Sequence, residues 1–245
     1  MIGKNVLILG ATSDVALALA SKFASERYTL TLAARDLERL HVIASDLSIR
    51  YSVPVNTVFF DALHFESHEE FFHTLFVKPN IVICVFGYLG DQFQAQVDWK
   101  HCAKIIDSNY TGAVSVLNVV ANSFEERNDG IIVGISSVAG DRGRQSNYFY
   151  GSAKAGFTAF LSGLRNRLYK SNVHVMTVKP GFMKTKMIEG LKTPKPLTAS
   201  PEGVANKIYS GIISRKNTMY VLPIWQLIMF VICLIPEFIF KKLKL

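Results

Sequence analysis

The sequence predicts an α/β fold, built as a doubly wound parallel sheet in a single domain with an apolar C-terminal tail. Short apolar runs alternate with amphipathic segments as far as residue 222, without an internal repeat or a linker. The first apolar run ends in a glycine turn, and a helical pattern follows at once, as in Rossmann-type units. We therefore expect a dinucleotide-binding domain over residues 1–222 and a separate tail over residues 223–245.

The predicted elements alternate along the chain. Strands are expected at residues 6–9, 30–34, 55–60, 81–86, 131–135, 173–178 and 218–222. Helices are expected at residues 14–23, 36–50, 99–108, 111–124, 149–169 and 201–213. Residues 182–200 contain Lys and Pro without a sustained period, so this segment is predicted to be a loop with a short helix, placed where a lid would lie.

Composition favours a cytoplasmic globular protein. The hydrophobic fraction of 49% over 245 residues is enough for a large core. Cys84, Cys102 and Cys233 lie far apart and are odd in number, which predicts reduced thiols without metal-ligand spacing. The N-terminal residues run directly into a strand, so no signal peptide is expected.

The net charge of +8 is spread along the chain without a recognition motif, so we expect no nucleic-acid partner. Lysines are locally in excess in the lid and at the C-terminal end. The two groups are Lys184, Lys186, Lys192 and Lys195, opposed by Glu189, and Lys241, Lys242 and Lys244. A solvated surface, an anionic substrate and a membrane surface all explain this excess.

The glycine turn after the first strand predicts a phosphate-binding cradle of backbone N–H groups at a helix N-terminus. Its residues are Gly10, Thr12, Ser13, Asp14 and Val15. The spacing is Gly-x-x-x-Gly-x-Gly, with Asp14 and Ala16 at the second and third glycine places. The Asp14 carboxylate would lie near a diphosphate, or it would turn away and bond to the backbone of the turn.

The ends of the next two strands predict cofactor preference. Arg35 follows the second strand where an acidic residue would hold a ribose, so NADP(H) is favoured over NAD(H) through its 2′-phosphate. A surface arginine at the start of a helix is the alternative. Asp61, after the third strand, is expected near the adenine.

Ser137, Tyr150 and Lys154 form the predicted catalytic set. Tyr150 and Lys154 are four residues apart, so they share one face of a helix. A phenol with a pKa near ~10 is a poor acid–base group at neutral pH, and a neighbouring ammonium lowers that pKa. Ser137 follows the fifth strand at the ligand-binding edge of the sheet. The two hydroxyl groups together suit a carbonyl or alcohol oxygen, whereas a Tyr–Lys pair alone is typical of a helix surface.

Two further patterns are open to alternatives. Asn109 lies at the junction of two helices, where it would hold a relay water or cap the second helix. His64 and His68 are four residues apart near acidic residues, but no third ligand follows at a fixed spacing. We expect no metal there.

The tail is apolar from Ile224 to Ile235, which is too short for a spanning helix of ~20 residues. It predicts an interfacial helix or hairpin, with Trp225 at the headgroup level and the terminal lysines on anionic lipid. A helix buried in an oligomer interface is the alternative.

Together these residues make the sequence similar to the short-chain dehydrogenase/reductase family over about residues 4–222. The resemblance implies that Tyr150 is the general acid–base, Ser137 holds the substrate oxygen, and Lys154 binds the nicotinamide ribose and lowers the phenol pKa. It further implies that Asn109 orders a relay water. Cofactor contacts are also expected from Gly87, Pro180, Gly181 and Thr185.

The sequence departs from the family pattern at Asp14 and in the turn after the fourth strand, which reads Val-Phe-Gly-Tyr-Leu-Gly from Val85. In these departures and in its tail, the sequence also resembles the branch of the family that reduces decaprenyl-phospho-2-keto-pentose.

The expected function is NADP(H)-dependent reduction of a carbonyl to an alcohol, on a lipid-linked or amphiphilic ketone at the inner membrane face. Two alternatives stand beside it: a soluble reductase of small ketones or acyl intermediates with an oligomerising tail, and a non-catalytic dinucleotide sensor. The resemblance implies a homodimer or homotetramer through the helices at residues 111–124 and 149–169.

Overall fold

The structure, a computed structural model, describes residues 5–188, 190 and 193–243. Its main sheet has seven strands in the order β3-β2-β1-β4-β5-β6-β9. These strands are β1 (Asn5–Leu9), β2 (Thr29–Ala34), β3 (Val55–Phe59), β4 (Ile81–Cys84), β5 (Gly130–Ile135), β6 (Val173–Lys179) and β9 (Thr218–Tyr220). A short parallel pair, β7 (Phe182–Met183) and β8 (Thr198–Ala199), frames the lid.

The helices that cover the sheet are α1 (Asp14–Ser25), α2 (Leu37–Tyr51), α3 (His68–His73), α4 (Gln92–Val97), α5 (Trp99–Ile106), α6 (Gly112–Arg127), α7 (Tyr148–Leu168) and α8 (Pro201–Ile213). Two more, α9 (Pro223–Leu234) and α10 (Glu237–Phe240), form the tail. The predicted helices and strands recur with end shifts of a few residues. The sequence pattern did not predict α3, α4, α10 or the short pair β7–β8.

The sheet is parallel throughout and carries one apolar core on each face. One core packs α1, α2 and α8 against the sheet through residues such as Phe23, Leu40 and Ile208. The other packs α6 and α7 through residues such as Val116 and Phe157. Strand order reverses between β1 and β4, so the carboxyl ends of these strands open onto a ligand-binding crevice. The predicted doubly wound α/β fold is confirmed.

Strand β4 ends two residues earlier than predicted, because the chain turns to cover Gly10. Gly10 has a φ of 83°, and a Cβ there would lie 2.7 Å from the Cβ of Phe86. Only glycine accepts both the left-handed conformation and this close approach. The turn at Gly10, between β1 and α1, is therefore held against the segment that follows β4.

The tail does not lie free, because α9 packs one of its faces on the body of the protein. Trp225 and Met229 are buried against Val138. The Trp225 side chain is only 5% exposed, and its Nε1–H donates a 3.0 Å hydrogen bond to the Leu197 carbonyl. The prediction that Trp225 reaches the headgroup level is therefore wrong, because its indole is buried against other parts of the same chain.

The other face of α9 is apolar and exposed. Its stripe consists of Ile224, Leu227, Val231 and Leu234, and Phe230 and Phe238 extend it. Among the described residues, no helix is both long enough and apolar enough to cross a bilayer.

Candidate active site

Ser137 is held rigidly at the carboxyl end of β5. Its backbone is extended, and its Oγ accepts a 3.1 Å hydrogen bond from the Ala139 N–H, which starts a short 3₁₀ turn over Val138–Gly140. The backbone N–H of Val138, the residue after Ser137, donates a 3.0 Å hydrogen bond to the Pro180 carbonyl. The end of β5 and the end of β6 therefore position Ser137 together.

Tyr150 lies in the first turn of α7, half-buried against the cluster formed by Ala95, Cys102 and Ile105. Burial raises the pKa of Tyr150 to about 12, and a hydrogen bond with the Ser137 side chain acts in the opposite direction. The two predicted hydroxyl groups are thus together. The expected lowering of the Tyr150 pKa by Lys154 is not found, because burial outweighs every other effect at the phenol.

Lys154 is 4% exposed, and its Nζ donates a 3.0 Å hydrogen bond to the Ile135 carbonyl. Nζ lies 5.8 Å from the centre of the Tyr150 ring. Burial lowers the pKa of Lys154 to about 8, since the low-dielectric surroundings disfavour the ammonium. The predicted i, i+4 pair is present, but the ammonium points to the end of β5.

Asn109 is buried in a π-helical turn, Asp107–Thr111, that joins α5 to α6. Its Nδ2 donates to the Ile105 carbonyl at 2.8 Å and to the Tyr88 carbonyl at 2.6 Å, while its Oδ1 accepts from the Tyr88 N–H at 3.2 Å. The side chain therefore fixes the turn after β4. It does not cap α6, which was one of the two alternatives.

Gly87 is the point at which these groups converge. A Cβ at Gly87 would lie 2.7 Å from Asn109 Oδ1 and 3.4 Å from Lys154 Nζ. Because Asn109 is fixed by three hydrogen bonds, a larger residue at Gly87 would displace the amide or the ammonium. The turn after β4, which departs from the family pattern, therefore contacts both Asn109 and Lys154 and is part of the site.

The glycine turn joins β1 to the N-terminus of α1, and two of its N–H groups are bonded within the protein. The N–H groups of Gly10 and Ala11 both donate to the Ala33 carbonyl, at 2.9 and 3.1 Å. Ser13 caps α1 by accepting a hydrogen bond from the Ala16 N–H. Thr12, Ser13, Asp14 and Val15 line a small cavity of about 120 Å³ together with Thr185.

A second cavity, of about 370 Å³, lies at the ends of β2 and β3. Its lining includes Thr12, Arg35, Asp61 and Gly87. Arg35 is exposed and has no ion-pair partner among the described residues. Asp61 Oδ1 accepts a hydrogen bond from the Leu63 N–H at 3.0 Å, so this carboxylate shapes its own turn.

The lid contacts the glycine turn through Asp14. Its Oδ2 accepts a 2.9 Å hydrogen bond from the backbone N–H of Lys186, so the carboxylate neither points at the turn's own backbone nor lies free. Lys184, Lys186 and Lys195 are exposed, as a lysine-rich lid requires. Glu189, Lys192 and Lys244 lie outside the described residues.

Pro180 and Gly181 lie beside the tail helix. A Cβ at Gly181 would lie 1.9 Å from Trp225 Nε1, so the indole occupies the space next to this glycine. The sequence pattern does not predict this contact, and its only sign is a tryptophan in an apolar run 44 positions downstream of the Pro-Gly turn. The sequence pattern also gives no sign of Arg142, which joins the end of α9 to the loop that follows Ser137.

Arg142 binds the C-terminal end of α9. Its Nη1 donates to the carbonyls of Ile232 and Ile235, each at 2.6 Å, and its Nη2 pairs with Glu237 at 2.9 Å. The guanidinium also stacks on the Phe240 ring, 3.7 Å from its centre. A cation is favourable at a helix C-terminus, so one side chain fixes both α9 and α10.

Packing explains His68, one of the two histidines. His68 is buried, with one ring nitrogen 2.9 Å from Ser115 Oγ and the other 3.0 Å from the Asp61 carbonyl. Burial lowers its pKa. Within the described part of the chain, no three His, Cys, Asp or Glu side chains cluster as metal ligands do.

The doubly wound sheet, with Ser137, Tyr150 and Lys154 at its carboxyl edge, defines a nicotinamide-dependent oxidoreductase. The sequence profile of the family described as short chain dehydrogenase matches residues 4–195. An uncharacterised oxidoreductase of Mycobacterium tuberculosis is 33% identical over 241 residues, covering 97% of this chain and 96% of the relative. A second, from Streptomyces coelicolor, is 34% identical over 246 residues and covers 98% and 96% of the two chains. The protein belongs to the short chain dehydrogenase family.

Among solved structures, a short-chain dehydrogenase from Sphingobium yanoikuyae in complex with NADPH superposes with a TM-score of 0.79. The two proteins are 24% identical, and the match covers 88% of this chain and 86% of the other. This likeness confirms the fold.

Proposed function

We propose that the protein is an NADP(H)-dependent reductase that converts a carbonyl to an alcohol, with Tyr150 as the proton donor. The observation that carries this proposal is the hydrogen-bonded pair of Ser137 and Tyr150 beside the buried Lys154. We further propose that residues 1–222 form the reductase domain and that residues 223–245 form a tail that serves it.

The chain's own residues fit a dinucleotide. Gly10 and Gly87 let the two turns of the crevice pack closely, since a Cβ at Gly10 would clash with Phe86 and one at Gly87 with Asn109. The N-terminus of α1 offers backbone donors to a diphosphate. Arg35 stands at the mouth of the cavity at the ends of β2 and β3 with its guanidinium unpaired in the described structure, as a 2′-phosphate contact requires. The NADPH held by the Sphingobium protein supports the same preference.

The chemistry follows from the two hydroxyl groups. The nicotinamide supplies a hydride to the carbonyl carbon when it is bound. Ser137 and Tyr150 hold the carbonyl oxygen, and Tyr150 transfers its proton to that oxygen as the negative charge develops. A phenol with a pKa of about 12 stays protonated at neutral pH, so it is available as an acid, which favours the reducing direction. Lys154 binds the ribose, and Asn109 orders a relay water through the second lone pair of its Oδ1.

The tail and the lid support an amphiphilic substrate. The exposed stripe on α9 is apolar, and Lys241 and Lys242 follow it on the surface. Such a face suits the interfacial region of a bilayer with anionic headgroups. We therefore propose a monotopic protein on the cytoplasmic leaflet, acting on a lipid-linked or similarly amphiphilic ketone. A soluble reductase whose stripe forms a contact between copies is the second candidate, favoured by the same exposed face.

The test is reduction of a panel of ketones by NADPH, with Tyr150→Phe beside the wild type. Loss of one hydroxyl should lower kcat by about 10²–10⁴-fold and leave folding and NADPH binding intact. Tyr148→Phe, two positions earlier in the same helix turn, is the matched control and should keep its activity. A Tyr150→Phe enzyme with most of its kcat would refute the mechanism, and a wild type that binds NADPH but reduces no ketone would favour a dinucleotide sensor.

A further inference from the structure

Trp225 lies where three segments around the candidate active site meet. It shares a buried cluster with Val138, the residue after Ser137. Its ring packs edge to face on Phe182, with 5.4 Å between the ring centres, and its Nε1–H donates to the Leu197 carbonyl at 3.0 Å. One side chain of the tail therefore joins the turn after β5, strand β7 and the residue before β8.

Gly181 makes room for this indole. A Cβ at Gly181 would lie 1.9 Å from Trp225 Nε1 and 2.1 Å from its Cε2, far inside van der Waals contact. The φ of Gly181 lies outside the left-handed region, so its backbone conformation does not itself require glycine. The close approach of the indole is what excludes a side chain at this position.

The turn that the indole covers also holds Ser137. The carbonyl of Pro180, next to Gly181, accepts the hydrogen bond of the Val138 N–H. The next N–H, that of Ala139, donates to the Ser137 Oγ at 3.1 Å. Displacement of the Pro-Gly turn or of Val138 would therefore shift the Ser137 hydroxyl.

The opposite end of α9 is fixed on the same loop. Arg142 donates to carbonyls at the end of α9 and pairs with Glu237. The main sheet is complete at β9, before this helix begins, so α9 adds nothing to the sheet. Trp225 and Arg142 instead anchor its two ends on the loop that follows Ser137.

We propose that Trp225 is a positioning residue for Ser137. Its indole holds Val138 and the Pro180–Gly181 turn in place, and through them the hydroxyl that orients the carbonyl of the substrate. Misplacement of such a group by about 1 Å can cost about 10²-fold in rate. This inference rests on the proposed reductase function and extends its machinery from the edge of the sheet to the tail.

The test measures ketone reduction by NADPH in a double-mutant cycle of Trp225→Leu and Ser137→Ala. Trp225→Leu alone should lower kcat about ten- to a hundredfold. In the Ser137→Ala background it should lower kcat no further, because the group that it positions is absent. Equal fold losses in the two backgrounds would overturn the proposal, since Trp225 would then act independently of Ser137.

Two further variants examine the contact itself. Trp225→Phe keeps an aromatic ring beside Gly181, so it should retain most of the turnover that Trp225→Leu loses. A Trp225→Phe enzyme as slow as Trp225→Leu would overturn the proposal. The matched control is Trp99→Leu, which makes the same change at the other tryptophan of the chain, 73% exposed, and should leave kcat unchanged.

Hydrogen exchange followed by mass spectrometry gives a readout that needs no catalysis. The N–H groups of Val138, Ala139 and Gly140 are all hydrogen-bonded, so their exchange reports whether the loop opens. Trp225→Leu should speed exchange in residues 136–144 about tenfold or more and leave β1 and β2 unchanged. Unchanged exchange in residues 136–144, or an equal rise in β1 and β2, would overturn the proposal.

The two levels of proposal fail differently. A protein that reduces no ketone would refute the reductase function, and exchange in residues 136–144 would still decide whether Trp225 holds the loop. Ketone reduction with equal losses in the two backgrounds of the cycle would keep the reductase function and refute the role of Trp225.

Discussion

The carboxylate of Asp14, the first residue of α1, accepts a hydrogen bond from the backbone N–H of Lys186, 172 positions further along the chain. It joins the turn after β1 to residues 182–200, which the sequence predicts to be a lid. Asp14 stands at the second glycine place of the Gly-x-x-x-Gly-x-Gly spacing. Its side chain would add a negative charge near the phosphate of the proposed cofactor, and it also holds the Lys186 backbone by a hydrogen bond. These two effects can be separated by substitution.

Asp14→Asn should keep an acceptor for the Lys186 N–H and remove the charge, so NADPH should bind several-fold more tightly. Asp14→Ala should remove both, and the lid should open more often. Limited trypsin digestion measures this directly, since Lys184 and Lys186 are cleavage sites within the lid. We expect faster cleavage there in Asp14→Ala than in Asp14→Asn. Equal cleavage rates in the two variants would show that the hydrogen bond does not hold the lid.

Arg35 should set the cofactor preference. Loss of a charge-assisted phosphate contact is worth roughly 1.5–3 kcal/mol, so Arg35→Ala should weaken NADPH binding by one to two decades. NADH, which lacks the 2′-phosphate, should bind nearly as before. Arg39→Ala, which alters another exposed arginine one turn further along α2, is the control. If both cofactors lose affinity equally, Arg35 does not contact the 2′-phosphate.

Lys154 should control the upper limb of the pH profile. Its pKa of about 8 means that the ammonium is present below this pH and is lost above it, whereas Tyr150 stays protonated until about 12. The kcat/KM for ketone reduction should therefore fall as the pH rises through about 8. Lys154→Arg keeps its charge in this range, so whatever activity remains should lose that limb. A limb at an unchanged pH in Lys154→Arg would assign it to another group.

The stripe on α9 should bind lipid. Leu227 and Val231 are 64% and 53% exposed, so Leu227→Glu/Val231→Glu should leave the fold intact. It should weaken binding to anionic liposomes at least tenfold, because burial of each apolar side chain is worth about 1.5–3 kcal/mol. Val42→Glu/Ile49→Glu, which alters two exposed apolar residues of α2, is the matched control for added charge.

Sedimentation with liposomes, repeated at high salt, measures this binding, and the apolar part should survive screening. If the wild type ignores liposomes and the α9 double variant instead dissociates a dimer or tetramer, the stripe is an interface. The amphiphilic-substrate proposal would then lose its support.

The sheet, the glycine turn and the Ser137–Tyr150–Lys154 set could be predicted because each is encoded locally. Apolar runs give the strands, and a spacing of four places Tyr150 and Lys154 on one helix face. The pKa values could not be predicted in the same way. They depend on burial, which is decided by packing between distant parts of the chain, and burial outweighed the charge effect that the spacing suggested.

The position of the tail could not be predicted either, because it too depends on packing between distant parts of the chain. Its apolar composition indicates burial on some surface but not on which one. The contacts that decide it are those of Arg142 with the end of α9 and of Trp225 with Leu197, each between segments far apart in the sequence.

The packing of α9 on Val138, the residue after Ser137, also bears on how the protein is made. Synthesis proceeds from the N-terminus, and domains begin to fold as they emerge. The seven-stranded sheet is complete at Tyr220, whereas Val138 and Arg142 gain their partners only when residues 225–240 have left the ribosome. At the stage when only the sheet has emerged, the loop that follows Ser137 therefore lacks its contacts with α9 and α10.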